Sequence, residues 1–319
     1  MKWKNKQIYT QLAIHSLFVA LSLLTVLTVV LQACSKHSSE PEPIPIQLYT
    51  GIRTRAAVDA FDATPVCVAC GSLSGSYTQC WDGVATGNEI TLVPVRYYPT
   101  DGTPVYLRGF YPPAPLTEDG TLTYTLTGEE DLMLTAEQSG SAENPFTADT
   151  EKMLVHRHLL TQLSFRLKLD VENPEQYSIR SLRLNGLAQE VTLSLLTGKL
   201  ECGNPAPPVI LYDSEKSGNC FPFEAGVAEL PGFVLVQPEA EFTIDLRLAV
   251  DEEPENDLVY TGLPIHFEGG VGAGGISYTV SVEIPDPSSL DPKAVNVTAT
   301  VGHWEDGSGG NGELVTRHL

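Results

Sequence analysis

The chain has 319 residues and carries 40 acidic side chains against 19 Lys and Arg, a net charge of −21. A chain this acidic repels phosphate backbones, which excludes nucleic-acid binding as a function class. The same charge favours solubility and says nothing about fold.

Lys2, Lys4 and Lys6 precede any acidic residue, and Leu17–Leu31 is apolar except for Ser22, Thr25 and Thr28. A basic start, an apolar core and a small-residue exit predict a secretory signal peptide over 1–33. The competing reading is a transmembrane helix. The fifteen residues Leu17–Leu31, at ~1.5 Å each, reach about 22 Å, short of a ~30 Å hydrocarbon core, although extension back to Leu12 would restore a span. Leu31-Gln32-Ala33-Cys34 decides for the signal. The quartet resembles the bacterial lipoprotein box, in which the Cys thiol takes a diacylglyceryl group and becomes the mature N-terminus. Residues 34–48 then read as a flexible tether, since Ser35–Pro45 is rich in Ser, Pro and Glu and has too little apolar surface to fold.

About 285 residues follow the leader, enough for two domains. They read as all-β. Thr121–Thr127 alternates Thr with Leu122, Tyr124 and Leu126. Leu163–Val171, Phe242–Val250, Ile276–Ile284 and Val295–Val301 repeat the period of two. One face of each run is apolar and the other is wetted, the pattern of antiparallel sheets packed as sandwiches. The small and polar stretch Gln138–Pro145 predicts a linker, which divides the chain into an N-terminal sandwich over 49–150 and a C-terminal sandwich over 151–319. The acidic run Asp251–Asp257 reads as a solvated loop. Gly269–Gly275 reads as a loop too, since no strand-to-helix context supports a phosphate cradle.

No catalytic constellation stands out. Cys67-Val68-Ala69-Cys70 has redox or metal spacing, yet no strand-to-helix context or second pair accompanies it. With Cys34 lipidated, Cys67, Cys70, Cys80, Cys202 and Cys220 are an odd number, and opportunistic disulfides such as Cys202 with Cys220 are the blander expectation. His156 and His158 lie on one face of an extended stretch. Imidazoles meeting backbone carbonyls are expected there ahead of a metal. The carboxylates contain no pair that the sequence singles out for hydrolysis. No metal and no cofactor is expected.

Five sets of residues occur in order: Cys34 in its box; Ile52-Arg53-Thr54-Arg55-Ala56; Tyr97-Tyr98-Pro99 through Phe110-Tyr111-Pro112 to Asp131–Ala136; His158–Phe165; and Leu230-Pro231 with Val234–Pro238 ahead of a last strand into Trp304. Together they resemble the fimbrillins and Mfa-like lipoproteins of Bacteroidales, over nearly the whole mature chain. The resemblance implies two transthyretin-like β-sandwich domains and a non-enzymatic role as a structural or minor tip subunit of adhesive fimbriae at the outer membrane. It implies a lipidated precursor that an Arg-specific protease cuts near its start, so that the first strand leaves and a strand of another subunit takes its place. The physics is sound, since an open sheet edge is a template for another chain and strand addition satisfies that edge at once.

Carried onto this chain, Arg55–Ala56 is the preferred cut and Arg53–Thr54 the second. The alternative is that both arginines face solvent in an uncut lipoprotein that keeps its lipid on Cys34. The tail from Glu305 to Leu319 would supply part of a donor strand, although it is short and polar. The partners implied are other fimbrial subunits, the outer membrane through Cys34, and a host or bacterial surface ligand. A tethered glycan-binding lipoprotein is the second reading, with Trp81, Tyr97, Tyr98, Tyr106, Phe110 and Tyr111 as its platform. Core packing is the stronger expectation for most of these aromatics.

Overall fold

A computed structural model describes residues 42–53, 58–59, 61–149, 151–285, 287 and 295–302, with 58 and 59 described by backbone alone. The first ten strands are β1 (Leu48–Arg53), β2 (Val58–Asp59), β3 (Phe61–Gly71), β4 (Gln79–Gly87), β5 (Glu89–Val93), β6 (Val105–Tyr111), β7 (Thr121–Thr125), β8 (Met133–Thr135), β9 (Gln138–Gly140) and β10 (Leu154–His158). Thirteen more follow: β11 (Thr161–Leu169), β12 (Ser178–Asn185), β13 (Glu190–Ser194), β14 (Leu200–Cys202), β15 (Val209–Asp213), β16 (Phe221–Pro222), β17 (Val227–Glu229), β18 (Val234–Val236), β19 (Thr243–Ala249), β20 (Leu258–Pro264), β21 (His266–Phe267), β22 (Ser277–Ile284) and β23 (Asn296–Val301). The protein is all-β, as its alternation predicts. Helix among the described residues is limited to single turns such as Ser214–Ser217.

The first sheet closes on itself. Its hydrogen-bonded order runs β10-β8-β6-β3-β4-β5-β1, and β1 then pairs with β10. The β1 to β5 pairing is antiparallel through Leu48 and Tyr49, whereas the β1 to β10 pairing is parallel from Thr50 to Arg53. Inside the ring lies a core that includes Leu48, Val66, Val68, Ile90, Leu107 and Leu154. A closed ring leaves no strand edge, which is how β proteins avoid edge-to-edge association.

β3 is buried on both faces. Val66, Val68 and Cys70 point into the ring, and Cys67 and Ala69 point out against Phe110, Leu122, Tyr124 and Leu134. This outer layer is roofed by a three-stranded sheet, β14-β13-β7, in which β7 pairs with β13 from Thr121↔Ser194 to Thr125↔Glu190. A strand buried twice loses its polar alternation and reads as a continuous apolar run. That is why Pro65–Gly71 shows no period of two. At the end of β3 the chain turns tightly. A Cβ on Gly71 would sit 1.7 Å from the Ser76 carbonyl oxygen, so only glycine fits there. Glu137 holds the turn by accepting hydrogen bonds from Ser74 Oγ (2.6 Å), Gly75 N (2.8 Å) and Tyr77 Oη (2.6 Å). Burial pushes its carboxyl up, but those donors outweigh it and hold the group below its usual range.

The same core continues between two larger sheets. One has the order β17-β11-β22-β23-β21 and the other β15-β12-β19-β20. Leu163, Phe165 and Leu167 of β11 share it with Leu182 and Leu184 of β12, Leu246 of β19 and Val280 of β22. The five alternating runs predicted from the sequence supply β7, β11, β19, β22 and β23. Most pairings are antiparallel, but β11 to β22 is parallel from Gln162 to Leu169, as are β1 to β10 and β21 to β23.

The predicted linker is held rather than free. Gln138–Gly140 pairs with β6, and Phe146 is buried in a stack on Tyr98. The acidic run is not wholly solvated either. The carboxylate of Asp257 is fully enclosed and receives Arg180 Nε at 2.8 Å and Arg247 Nη2 at 2.9 Å. Asp251, Glu252, Glu253 and Glu255 before it stay in water, and Asp257 turns inward where two cations meet it.

Candidate functional site

The candidate site is the strand that closes the ring. Leu48 and Thr50 of β1 point inward and are almost wholly buried, and Ile46 just before the strand is buried with them. Ile52 packs partly against the same core. The alternation Ile46, Leu48, Thr50, Ile52 therefore makes one inward face. Three of these residues are apolar and one is not.

Thr50 meets a small polar layer inside the ring. Its hydroxyl donates to the Leu154 carbonyl at 2.8 Å and lies 3.0 Å from His156 Nδ1. A hydroxyl has one hydrogen, and the carbonyl takes it. The imidazole therefore donates, and the hydrogen sits on Nδ1. His156 is fully buried, its ring edge-on to Phe61 at 5.1 Å between centroids. Nε2 has no hydrogen-bond partner among the described residues. Burial pushes the ring down to about 3; the Leu154 carbonyl opposes this and His158 adds to it, so the imidazole is neutral at physiological pH. Gly109 lets the ring lie flat against β6, since a Cβ there would come within 3.0 Å of Nε2. Thr135 completes the layer by accepting from the Gly109 amide at 2.8 Å.

His158, two residues on, bonds the Asp131 carboxylate through Nδ1 at 2.8 Å. His156 thus meets the Thr50 hydroxyl beside the Leu154 carbonyl, and His158 meets a carboxylate where the sequence led us to expect a carbonyl. A carboxylate and a hydroxyl lie within reach only because β8 and β1 flank β10.

Arg53 ends β1 and is exposed. It stands opposite Arg157 in the parallel pairing and opposite Val58 of β2 on the other side. Two like charges placed side by side weaken the end of the strand. Arg55 and Cys34, with the signal peptide, the first part of the tether and the tail beyond Gly302, lie outside the described residues.

The other chemistry-bearing residues do not converge. Cys67 and Cys70 point to opposite faces of β3, because three is an odd step along a strand, so their spacing forms neither a redox pair nor a chelate. Burial pushes Cys70 up to about 11. Cys67 and Cys80 are neighbours on the outer face, where the Cys80 thiol lowers Cys67 and is itself raised. Cys202 and Cys220 are unbridged. The first ends β14 and the second precedes β16, in different sheets. Among the described residues no cluster of His, Cys, Asp or Glu is arranged to hold a metal. Trp81, Tyr98 and Phe110 are core residues, and Trp81 is further covered by the Arg96 guanidinium at 5.5 Å. Tyr97 is exposed and Tyr106 and Tyr111 are half-buried, so three of the six aromatics expected for a sugar platform are taken by the core.

A family model described as fimbrillin-like matches residues 70–304. The chain belongs to the fimbrillin-like family. The match begins inside β3, so the closing strand of this fimbrillin-like protein precedes the matched residues. No curated protein matches the sequence. Among solved structures, the chain is similar to a cell adhesion protein, described as putative, from Bacteroides uniformis, with TM-score 0.54, 15% identity, and coverage of 82% of this chain and 99% of that one. A fimbrial protein from Bacteroides vulgatus gives TM-score 0.51 at 11% identity, covering 81% of this chain and 99% of that one. These likenesses concern the fold. No helix among the described residues is long and apolar enough to cross a membrane.

Proposed function

We propose that the protein is a non-enzymatic structural subunit of a fimbria, assembled by strand exchange. In this reading it is delivered to the outer surface of the outer membrane on a lipid at Cys34. An Arg-specific protease then cuts after Arg55 or Arg53 and frees β1. The observation that carries the reading is that β1 alone closes the ring. Its loss opens backbone edges on β5 and β10 together and bares the inward core around Ile90 and Leu154. An extended strand from another subunit restores both edges and that core in one step. The exposed Arg53, set against the like charge of Arg157 at the end of the strand, would give a protease its access. Family membership supports the fimbrial role.

The test uses the purified full chain treated with an Arg-specific protease. N-terminal sequencing is expected to find a new start at Ala56 or Thr54, and electron microscopy and gel filtration are expected to find polymers. A chain that resists cutting, or is cut and stays monomeric, would overturn the reading. A subunit that keeps its start at Cys34 on intact cells would instead be a tethered anchor.

A further inference from the structure

The groove that β1 fills is apolar along its length except at one point. Leu48 and Ile46 meet aliphatic and aromatic neighbours of the ring core, whereas Thr50 meets the Leu154 carbonyl and the His156 imidazole. We infer that His156 makes this groove selective: it admits an incoming strand that carries serine or threonine at the register of Thr50, with apolar residues two places before and two places after. The inference rests on the strand-exchange reading above and names which strands the opened groove accepts.

The selectivity follows from what the two polar groups need. His156 Nδ1–H requires an acceptor and the Leu154 carbonyl receives a donor, and both requirements fall on one atom of the strand. A hydroxyl oxygen donates and accepts at once, at the short reach that the site allows. Valine has the same shape and does neither, so it leaves both groups without their partner in a buried layer. A carboxylate accepts but cannot donate, and it brings a charge into an enclosed space. A longer amide has no room, because Thr50 and His156 are both wholly buried, a Cβ on Gly109 would already crowd His156 Nε2 at 3.0 Å, and Phe61 closes the other edge of the ring. Serine keeps the chemistry and loses only a methyl. Recognition of this kind rejects the analogue that lacks the hydroxyl, because the site's own polar groups are then left unpaired.

The test varies the incoming strand and leaves the protein unchanged. The full chain is cut with the Arg-specific protease, the cut is verified by N-terminal sequencing, and the product is mixed with an excess of fluorescent peptide copying residues 44–53. Three peptides are compared: the parent sequence, Thr50→Ser and Thr50→Val. Capture is read as fluorescence that elutes with the protein. The parent and Thr50→Ser peptides are expected to bind alike, and Thr50→Val at least about tenfold more weakly, the effect of losing one well-made buried hydrogen bond. Equal capture of all three overturns the selectivity while strand exchange stands. A chain that is not cut, or a cut chain that captures none of the peptides, overturns the strand-exchange reading and the selectivity with it. A second measurement needs no cleavage. In the uncut chain, Thr50→Val, His156→Leu and the double variant form a cycle in urea unfolding, and the absence of coupling between the two positions would overturn the pairing itself.

Discussion

His156 is where a single residue decides most. It was visible in the sequence as one of two histidines on one face, but its partner was not, because Thr50 lies 106 positions away in the chain. Nothing local marks a threonine in Leu48-Tyr49-Thr50 as different from any other strand threonine. The buried ring has a consequence for acid stability. His156 has an ordinary value of 6.5 and is pushed down to about 3 by burial in the fold. The unfolded chain therefore takes up a proton that the folded chain refuses, so stability is complete above pH 6.5 and is lost as pH falls toward 3. At pH 5 the loss is about 2 kcal/mol. Urea unfolding at pH 7 and pH 5 is expected to show this loss in the native chain and not in His156→Gln, since the carboxylates that titrate in both cancel.

Asp257 is the other decisive residue, and here the sequence misled. Its neighbours Glu252 and Glu255 are exposed, as an acidic loop suggests, but Asp257 is enclosed between Arg180 and Arg247. Asp257→Asn is expected to cost about 2 kcal/mol by weakening the charged hydrogen bond from Arg180 and the ion pair with Arg247. Glu255→Gln is expected to change stability by less than about 0.5 kcal/mol. Equal effects in denaturant melts would show that the loop is solvated throughout.

At the scale of elements, legibility followed burial. β11, β19, β22 and β23 have one buried face, and their alternation gave their positions within a residue or two. β3 is buried on both faces, so it offers no alternation, and its most conspicuous pattern, Cys67 with Cys70, is a redox spacing that the strand's period pulls apart. Sheet order was not legible at all. It depends on long-range pairings, among them β1 with β10 and β7 with β13, and these join residues on both sides of the stretch that composition alone marks as a linker. The thiols give a direct check on this layout. Under native conditions a maleimide is expected to modify exposed Cys202 first and Cys70 last, since Cys70 is buried and pushed up to about 11. Peptide mapping reads the order, and early labelling of Cys70 would mean that β3 does not have its inner face in the ring.

At the scale of the whole molecule, a ring held by one strand would, under the proposed assembly, give the chain two states that differ by a short segment. The arginines that would separate them make different demands. Arg53 is exposed and faces Arg157, so Arg53→Gln leaves the fold intact or steadies it slightly by removing a like-charge contact. In the proposed processing either arginine alone would serve for a cut, so only the Arg53→Gln, Arg55→Gln pair is expected to block both proteolysis and polymer growth while the melting temperature stays unchanged. The incoming strand then has to meet the groove's own requirements. The chain's tail contains Leu314-Val315-Thr316, which matches Leu48 and Thr50, while Gly312 and His318 stand where Ile46 and Ile52 lie, so it meets two of the four inward requirements. If a second copy supplies the donor, the hydroxyl that matters for growth is that of Thr316, not Thr50, because β1 has gone by then. Thr316→Val is therefore expected to slow polymer growth about tenfold and Thr316→Ser to leave it unchanged. Thr50→Val is expected to weaken the uncut precursor and spare the polymer. Light scattering after cleavage measures growth, and thermal unfolding before cleavage measures the precursor. The opposite assignment, with Thr50 governing growth and Thr316 silent, would mean that β1 stays in place and the tail is not the strand that fills the groove.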